Sequence, residues 1–362
     1  MVEERKKKIT LRRRIARYSL TLKYLFLKGK PLVPVRTVYN YLYYAVTGRP
    51  RLRYVDLALS YNCNLNCIHC STTRLKDAGR REMTVEDYRR LGKQLIKNGV
   101  LVVQLTGGEP LARPDVEDII RALNPSRLFI SMSTNGLLLT PERLKRLKKA
   151  GLDNISISVD DMDPREHDRW RRKEGAQAQA LKALDMVLDA GFRGMIFTVV
   201  THQNVRSENL GRLAEYSRKK GVLLLLGWAV PTGNWNANMD VLLTQDDLAY
   251  LDKFQEQYLH VRTDFESNYF RWGCGAGKEK LYITPYGDVI ACAFVHVRFG
   301  NIFQKPLSEI REKALLIDWF KDYKTLCLAA NNREFQEKHL SRIFVADKEP
   351  ISMKEAGFDV EE

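Results

Sequence analysis

Apolar and polar positions change their rhythm at about residue 53. From Tyr54 onward, short β-branched, apolar runs recur about every 30 residues, with amphipathic helical stretches between them. The runs predict strands at 54–61, 101–106, 127–134, 154–160, 194–201 and 222–228. The helices between them are marked by their caps. Thr84-Val-Glu-Asp87 and Thr244-Gln-Asp-Asp247 have the spacing of a capping box, and Thr140 precedes Pro141 at a first helical position. Gly99, Gly151, Gly191 and Gly221 stand where helix returns to strand. Six βα units predict an α/β fold, a partial (βα)6 TIM-type barrel with helices outside and chemistry at the C-terminal ends of its strands.

Upstream, Leu11, Ile15, Tyr18, Leu22, Leu25 and Phe26 fall on one helical face over 11–26, with arginines around the rest of the wheel. Gly29-Lys30-Pro31 closes that stretch, and a tyrosine-rich helix follows at about 36–46. Downstream of 262 the chain turns hairpin-like, with strands at 280–284 and 289–293 around Pro285-Tyr-Gly-Asp288, then a helix at about 306–319. The expected organisation is a basic amphipathic helical segment (1–53), the barrel (54–261), a cysteine-containing extension (262–330) and a charged tail without strand pattern (331–362).

Composition narrows the class. Of 362 residues, 44% are hydrophobic and 28% charged, which permits a large core and excludes fibrous or disordered character. No apolar run is long enough to span a bilayer, and the N-terminus lacks a secretory h-region. The expected location is therefore cytoplasmic, where six cysteines point to metal or redox chemistry. Residues 1–53 hold 15 of the 59 Lys/Arg and 2 of the 44 Asp/Glu, so they carry +13 of the +15 net charge. The nearly neutral body does not suit a nucleic-acid partner. The basic segment suits an anionic membrane surface, here the inner face. In the competing reading its apolar face packs on the barrel and its arginines are solvated.

Cys63-x3-Cys67-x2-Cys70 follows the first strand directly. Three thiolates on one short loop can hold three irons of a [4Fe–4S] cube and leave the fourth open to a chelating ligand. Three cysteines with His69 can also make a zinc site, and two close thiols a redox pair. Gly107-Gly108-Glu109-Pro110 follows the second strand, where glycines admit a ligand close to the backbone and a carboxylate can accept from an ammonium group. Ser133 and Asn135 end the third strand and Ser158 and Asp160 the fourth, placed either to bind a ribose and amino-acid moiety or to cap the next helices.

The cysteine loop and the GGEP loop, in this order at these strand ends, resemble the radical S-adenosylmethionine superfamily over 55 to about 231. The resemblance implies that Cys63, Cys67 and Cys70 ligate a [4Fe–4S] cluster whose open iron is chelated by S-adenosylmethionine. Reductive cleavage then yields a 5′-deoxyadenosyl radical that abstracts a substrate hydrogen, with electrons from a flavodoxin- or ferredoxin-like donor. It also implies that Glu109 or the Gly107–Gly108 backbone holds the amino group, that Ser158 and Asp160 contact the ribose, and that His69 packs over the cluster. Arg171 falls where this family pairs an arginine with the S-adenosylmethionine carboxylate; otherwise it is a surface helix charge. Cys274-x12-Gly287-x4-Cys292, Gly300-Asn301-Ile302 and Cys327 resemble a SPASM or twitch extension, implying one auxiliary [4Fe–4S] cluster with three cysteine ligands. The later cysteine block of that family is reduced to Cys327, and Ala330 stands where another cysteine is expected. Otherwise the three cysteines are buried small hydrophobes.

The reaction implied is oxidative modification of a peptide or protein, the commonest task of such relatives. A membrane lipid is the alternative substrate, and an electron-transfer iron–sulfur protein the alternative without catalysis. No residue identifies itself as a catalytic acid or base.

Overall fold

Strands such as Tyr54–Ser60 and Asn154–Ser158 alternate large apolar side chains with smaller or polar ones, and the folded chain uses that alternation to give a curved sheet two different faces. A computed structural model describes Thr10, Arg12, Arg13, Ile15 and residues 30–263, 273–323 and 327–360. A helix α1 (Leu32–Thr47) precedes β1 (Tyr54–Ser60), and then strands and helices alternate. In order they are α2 (Val85–Lys97), β2 (Val102–Gly107), α3 (Val116–Ala122), β3 (Phe129–Thr134), α4 (Pro141–Ala150) and β4 (Asn154–Ser158). Next come α5 (Pro164–Arg171), α6 (Ala176–Asp189), β5 (Arg193–Val200), α7 (Glu208–Lys219), β6 (Leu223–Trp228), α8 (Gln245–Gln257) and β7 (Val261–Thr263). Strands β1 to β7 are parallel and adjacent in chain order, the partial barrel expected.

Val55, Leu57, Val103, Leu105, Ile130, Met132, Ile155 and Ile157 join the core beneath the helices. The alternate positions Asp56, Gln104, Ser131, Ser133, Asn154 and Ser156 therefore line the concave face. There they pair with one another: Gln104 Nε2 donates to Ser133 Oγ at 2.9 Å, and Asn154 Nδ2 to Ser131 Oγ at 2.9 Å. Both capping boxes are formed, Thr84 with Asp87 and Thr244 with Asp247.

Three features differ from expectation. First, β7 adds a seventh parallel strand across the anticipated boundary at 261; three residues are too few to show a period. Second, the extension is fused to the barrel sheet. Strand β8 (Lys280–Ile283) pairs in parallel with β1, Tyr54 opposite Lys280, and antiparallel with β9 (Asp288–Cys292). Strand β10 (Val295–Asn301) follows, then helix α9 (Leu307–Ala314), and β11 (Ile351–Ser352) pairs with β10 at the sheet's edge. Third, the stretch expected as a charged tail is packed, with Phe335, Leu340, Ile343, Met353, Ala356 and Phe358 buried. A π-helical turn at Gln336–Leu340 shifts those side chains off the 3.6-residue period, which hides them among the charges.

Most of the helix expected over 11–26 lies outside the described residues. Arg13, which does not, is buried rather than solvated: its Nη2 donates to Gln255 Oε1 at 2.5 Å and its Nη1 lies 3.8 Å from Asp252, both on α8. No helix among the described residues is long and apolar enough to cross a membrane.

Candidate functional site

The loop after β1 carries three free thiols, Cys63 exposed, Cys70 half-buried and Cys67 buried. Backbone contacts clamp it from two sides. Gly108 N donates to Ser60 O at 2.8 Å and Glu109 N to Asn62 O at 2.9 Å. A Cβ on Gly107 would sit 2.3 Å from Ser60 O, and one on Gly108 2.3 Å from Asn62 O. These two glycines thus permit chain-on-chain packing against the cysteine loop, a use the sequence reading had assigned to a ligand's approach. From the short helical turn Gly233–Trp235 after β6, Asn234 N donates to Cys70 O at 2.9 Å and its Nδ2 to Cys67 O at 2.7 Å, while a Cβ on Gly233 would collide with Cys70 O at 2.1 Å.

Glu109 is fully buried and ties strand ends together. Its carboxylate accepts from Leu111 N at 3.0 Å, Thr134 Oγ1 at 2.8 Å and Asn135 N at 2.9 Å. Burial raises its pKa against those bonds. A carboxylate has about four acceptor positions, so roughly one remains for an ammonium group. Asn135 reaches back to the cysteine loop, its Nδ2 donating to Asn64 Oδ1 at 2.8 Å. Ser133 is held by Gln104, as above, and Ser158 ends β4 half-buried.

Arg171 at the end of α5 is not a surface charge. It is 8% exposed, its Nε donates to Asp160 Oδ2 at 2.6 Å, and its Nη1 lies 3.8 Å from Cys67 Sγ. Burial opposes ionisation of Asp160, but Arg171, with smaller help from His69 and His167, keeps its pKa below the ordinary carboxylate range. Its second oxygen, Oδ1, is buried without a hydrogen-bond partner. His69 Nε2 is 3.8 Å from Asp160 Oδ2, and its ring lies 5.2 Å from that of Trp170 and 5.8 Å from that of Trp235. Burial outweighs Asp160 and lowers the His69 pKa to about 4, so the ring is neutral at pH 7. Trp170 O also accepts from Ile68 N at 2.9 Å.

Among the described residues no three His, Cys, Asp or Glu side chains are placed to hold a single metal ion. Burial pushes the Cys63 thiol up to about 11 and raises that of Cys67 despite Arg171, so these thiols need an electropositive centre to lose their protons. The unpartnered Asp160 oxygen and the spare acceptor position on Glu109 are polar groups awaiting a donor-rich ligand.

Cys274, Cys292 at the end of β9, and Cys327 gather in the extension, each packed against the core. Burial, then the charge of Cys274, pushes the Cys292 thiol up to about 12; burial and both other cysteines raise Cys327. Ala330, at the position where the family pattern has a further cysteine, is buried and offers no donor. Lys278 is 1% exposed, with Nζ 4.9 Å from the Tyr323 ring centre and no hydrogen-bond partner. Burial lowers its pKa, while Cys274 acts in the opposite direction.

The comparisons now decide the family. Residues 57–216 match the family model described as the Radical SAM superfamily, and 274–332 match SPASM, an iron–sulfur cluster-binding domain. The chain belongs to the radical S-adenosylmethionine superfamily and carries a SPASM extension. It is similar to the AdoMet-dependent heme synthase of Methanosarcina barkeri, 26% identical over 331 residues, covering 80% of this chain and 94% of that protein. It is also similar to the antilisterial bacteriocin subtilosin biosynthesis protein AlbA of Bacillus subtilis, 28% identical, covering 74% of this chain and 61% of AlbA. The fold resembles that of Streptococcus suis SuiB, solved with its precursor peptide SuiA, with a TM-score of 0.60 at 17% identity, covering 75% of this chain and 67% of SuiB. A radical S-adenosylmethionine enzyme of this type uses S-adenosylmethionine with one [4Fe–4S] cluster and an auxiliary iron–sulfur cluster in its SPASM domain.

Asn64, Asn234 and Trp235 were not singled out from the sequence, although Asn64 in the cysteine loop bonds Asn135, Asn234 bonds the loop's carbonyls and Trp235 packs on His69.

Proposed function

We propose that this enzyme oxidatively modifies a peptide, with Cys63, Cys67 and Cys70 holding the S-adenosylmethionine cluster and Cys274, Cys292 and Cys327 the auxiliary one. The observation that carries the reading is the β1–β8 pairing. It joins the strand that precedes the Cys63 loop to the hairpin that carries Cys292, which ties the first thiol set to one cysteine of the second through a continuous sheet. When bound, S-adenosylmethionine with its cluster would supply a radical able to take one hydrogen atom, and an iron–sulfur centre held by Cys274, Cys292 and Cys327 would supply an acceptor for the remaining electron, with a proton lost to solvent.

The chain's own residues do the positioning. Glu109 offers its remaining acceptor position to the cofactor's ammonium group, and Asp160 Oδ1 to a hydroxyl. Arg171 compensates thiolate charge at Cys67. The aromatic pair Trp170 and Trp235 holds His69 neutral over the cysteine loop and keeps water from it. The polar concave face, with Gln104, Ser133 and Ser156, suits hydrogen bonding to peptide groups. AlbA, and SuiB with its bound precursor peptide, support that class of substrate. A tetrapyrrole is the second reading, favoured by alignment along 94% of the heme synthase. The comparisons do not favour a lipid substrate or a simple electron carrier.

The test is incubation of anaerobically reconstituted enzyme with S-adenosylmethionine, reductant and either a candidate precursor peptide or a carboxylated tetrapyrrole. Loss of a hydrogen pair from the peptide supports the reading. Decarboxylation of the tetrapyrrole with no change in peptide overturns it.

A further inference from the structure

Helix α1 is inside out. Its inward face is polar because of what it covers. Asn40 Nδ2 donates to Gly99 O at 2.7 Å, and Arg36 Nη2 donates to Ile96 O at 3.0 Å and Val100 O at 2.8 Å. Just before the helix, Lys30 Nζ donates to Leu128 O at 3.0 Å and pairs with Asp153. These acceptors lie at the ends of the α2 and α3 units and at the starts of β2, β3 and β4, where backbone carbonyls have no strand partner. Sealing them fixes polar residues on the near side of α1.

The far side is left apolar. Leu32, Val35, Val38, Tyr39, Leu42 and Val46 are between 42 and 86% exposed, and their spacing places them on one stripe with no charged residue in it. A soluble surface helix shows the opposite arrangement, and a contiguous apolar stripe of this kind marks a binding surface.

We infer that this stripe docks the enzyme on an anionic lipid bilayer, with α1 lying in the plane of the interface. Charge selects this occupant. Residues 1–53, which include α1, carry +13 in sequence, of which Arg13, Lys30 and Arg36 are engaged with the protein itself, and exposed Lys97, Arg127, Lys148 and Lys149 stand around the same end of the barrel as α1. Cations at this density attract anionic headgroups and repel a second copy of the same face. The helix has 16 residues, too few to span a bilayer but enough to lie along one, and tyrosines favour the headgroup level. The inference is independent of the proposed reaction.

A geometric consequence follows. The docking helix caps the N-terminal ends of the strands, whereas the Cys63 loop leaves the C-terminal end of β1. The mouth of the barrel therefore faces away from the lipid, and substrate enters from the aqueous side. Membrane attachment therefore does not require a lipid substrate.

The experiment is flotation of the full-length, cluster-loaded enzyme with vesicles of phosphatidylcholine alone or of phosphatidylcholine with phosphatidylglycerol. Wild type should float with the anionic vesicles, much less with the neutral ones, and less at high salt, since the screening length falls below about 10 Å above about 0.1 M. Leu42→Ser/Val46→Ser, which removes apolar area without changing charge, should bind roughly thirtyfold more weakly. Val35→Asp/Leu42→Asp should abolish flotation. Both variants should melt with wild type, because these side chains contact solvent. Wild type that ignores anionic vesicles overturns the inference, as does an unimpaired Ser variant. So does a wild-type dimer, seen by light scattering, that the Asp variant dissolves.

Discussion

The Arg171 guanidinium reaches the Cys67 sulfur, Nη1 to Sγ 3.8 Å, from the end of a helix more than 100 residues further along the chain. Asp160 holds it there from the other side, and all three groups are buried. Arg171→Met should leave the Asp160 carboxylate buried and unpaired, at a cost of about 3 kcal/mol. Arg171→Met/Asp160→Leu should recover most of that stability without recovering S-adenosylmethionine cleavage. Thermal melting and 5′-deoxyadenosine yield separate the two effects. Full cleavage activity in the double variant would show that Arg171 serves folding alone.

Anaerobic reconstitution should give about eight iron and eight sulfide per chain, from two four-iron clusters. Alanine at Cys63, Cys67 and Cys70 together should halve that load and abolish cleavage. Alanine at Cys274 and Cys292 should remove the other half while some uncoupled cleavage persists. Iron and sulfide assays with electron paramagnetic resonance distinguish the sites.

Gly108→Ala tests the packing of the GGEP loop on the cysteine loop. The new methyl group would lie 2.3 Å from Asn62 O, so the two backbones must part. A destabilisation of about 2 kcal/mol is expected, together with faster iron loss from the adjacent cluster under chelator challenge. Wild-type chelator resistance would show that the loop accommodates the methyl group without moving the thiols.

Lys278→Met should shift the auxiliary cluster's midpoint potential downward, since a buried positive charge near Cys274 favours the more negative, reduced state. A redox titration of the Cys63→Ala/Cys67→Ala/Cys70→Ala protein isolates that cluster. An unchanged potential would place the ammonium too far away to act on it.

Asp247 predicts an acid dependence. Burial opposes its charge, but hydrogen bonds from His202, from Thr244 and from Arg206 bring its pKa from 3.8 to about 2. A pKa lowered on folding contributes stability that is complete above about pH 4 and is lost as pH falls through about 2. His202 and Arg206 are about half exposed, so solvent screening limits the contribution to about 1–2 kcal/mol. Asp247→Asn should therefore be less stable than wild type in urea at pH 7, and the gap should close toward pH 2.

What was legible follows from local rules. Apolar, β-branched runs, capping boxes and glycine returns located the barrel, and two cysteine spacings located both thiol sets, because each is written in neighbouring residues. The roles of Gly107 and Gly108 were harder to read, since what they approach, Ser60 and Asn62, lies across a strand crossover. Arg171 was readable only as buried or exposed, and its pairing with Asp160 required the fold. The packed C-terminal segment escaped because its π-helical turn breaks the period by which helices are recognised, and β7 because three residues show none.

The pairing of β1 with β8 also sets a timetable for synthesis. Lys280 lies 226 positions after Tyr54, its neighbour across the ladder. As the chain leaves the ribosome, β2 can dock on one edge of β1 almost at once, while the other edge stays bare until the hairpin has emerged. The nascent barrel thus exposes an unsatisfied strand directly beneath the Cys63 loop for most of translation, the kind of edge that chaperones shield. Closure of that edge and arrival of Cys292 are therefore a single event, which comes only after all seven barrel strands have emerged.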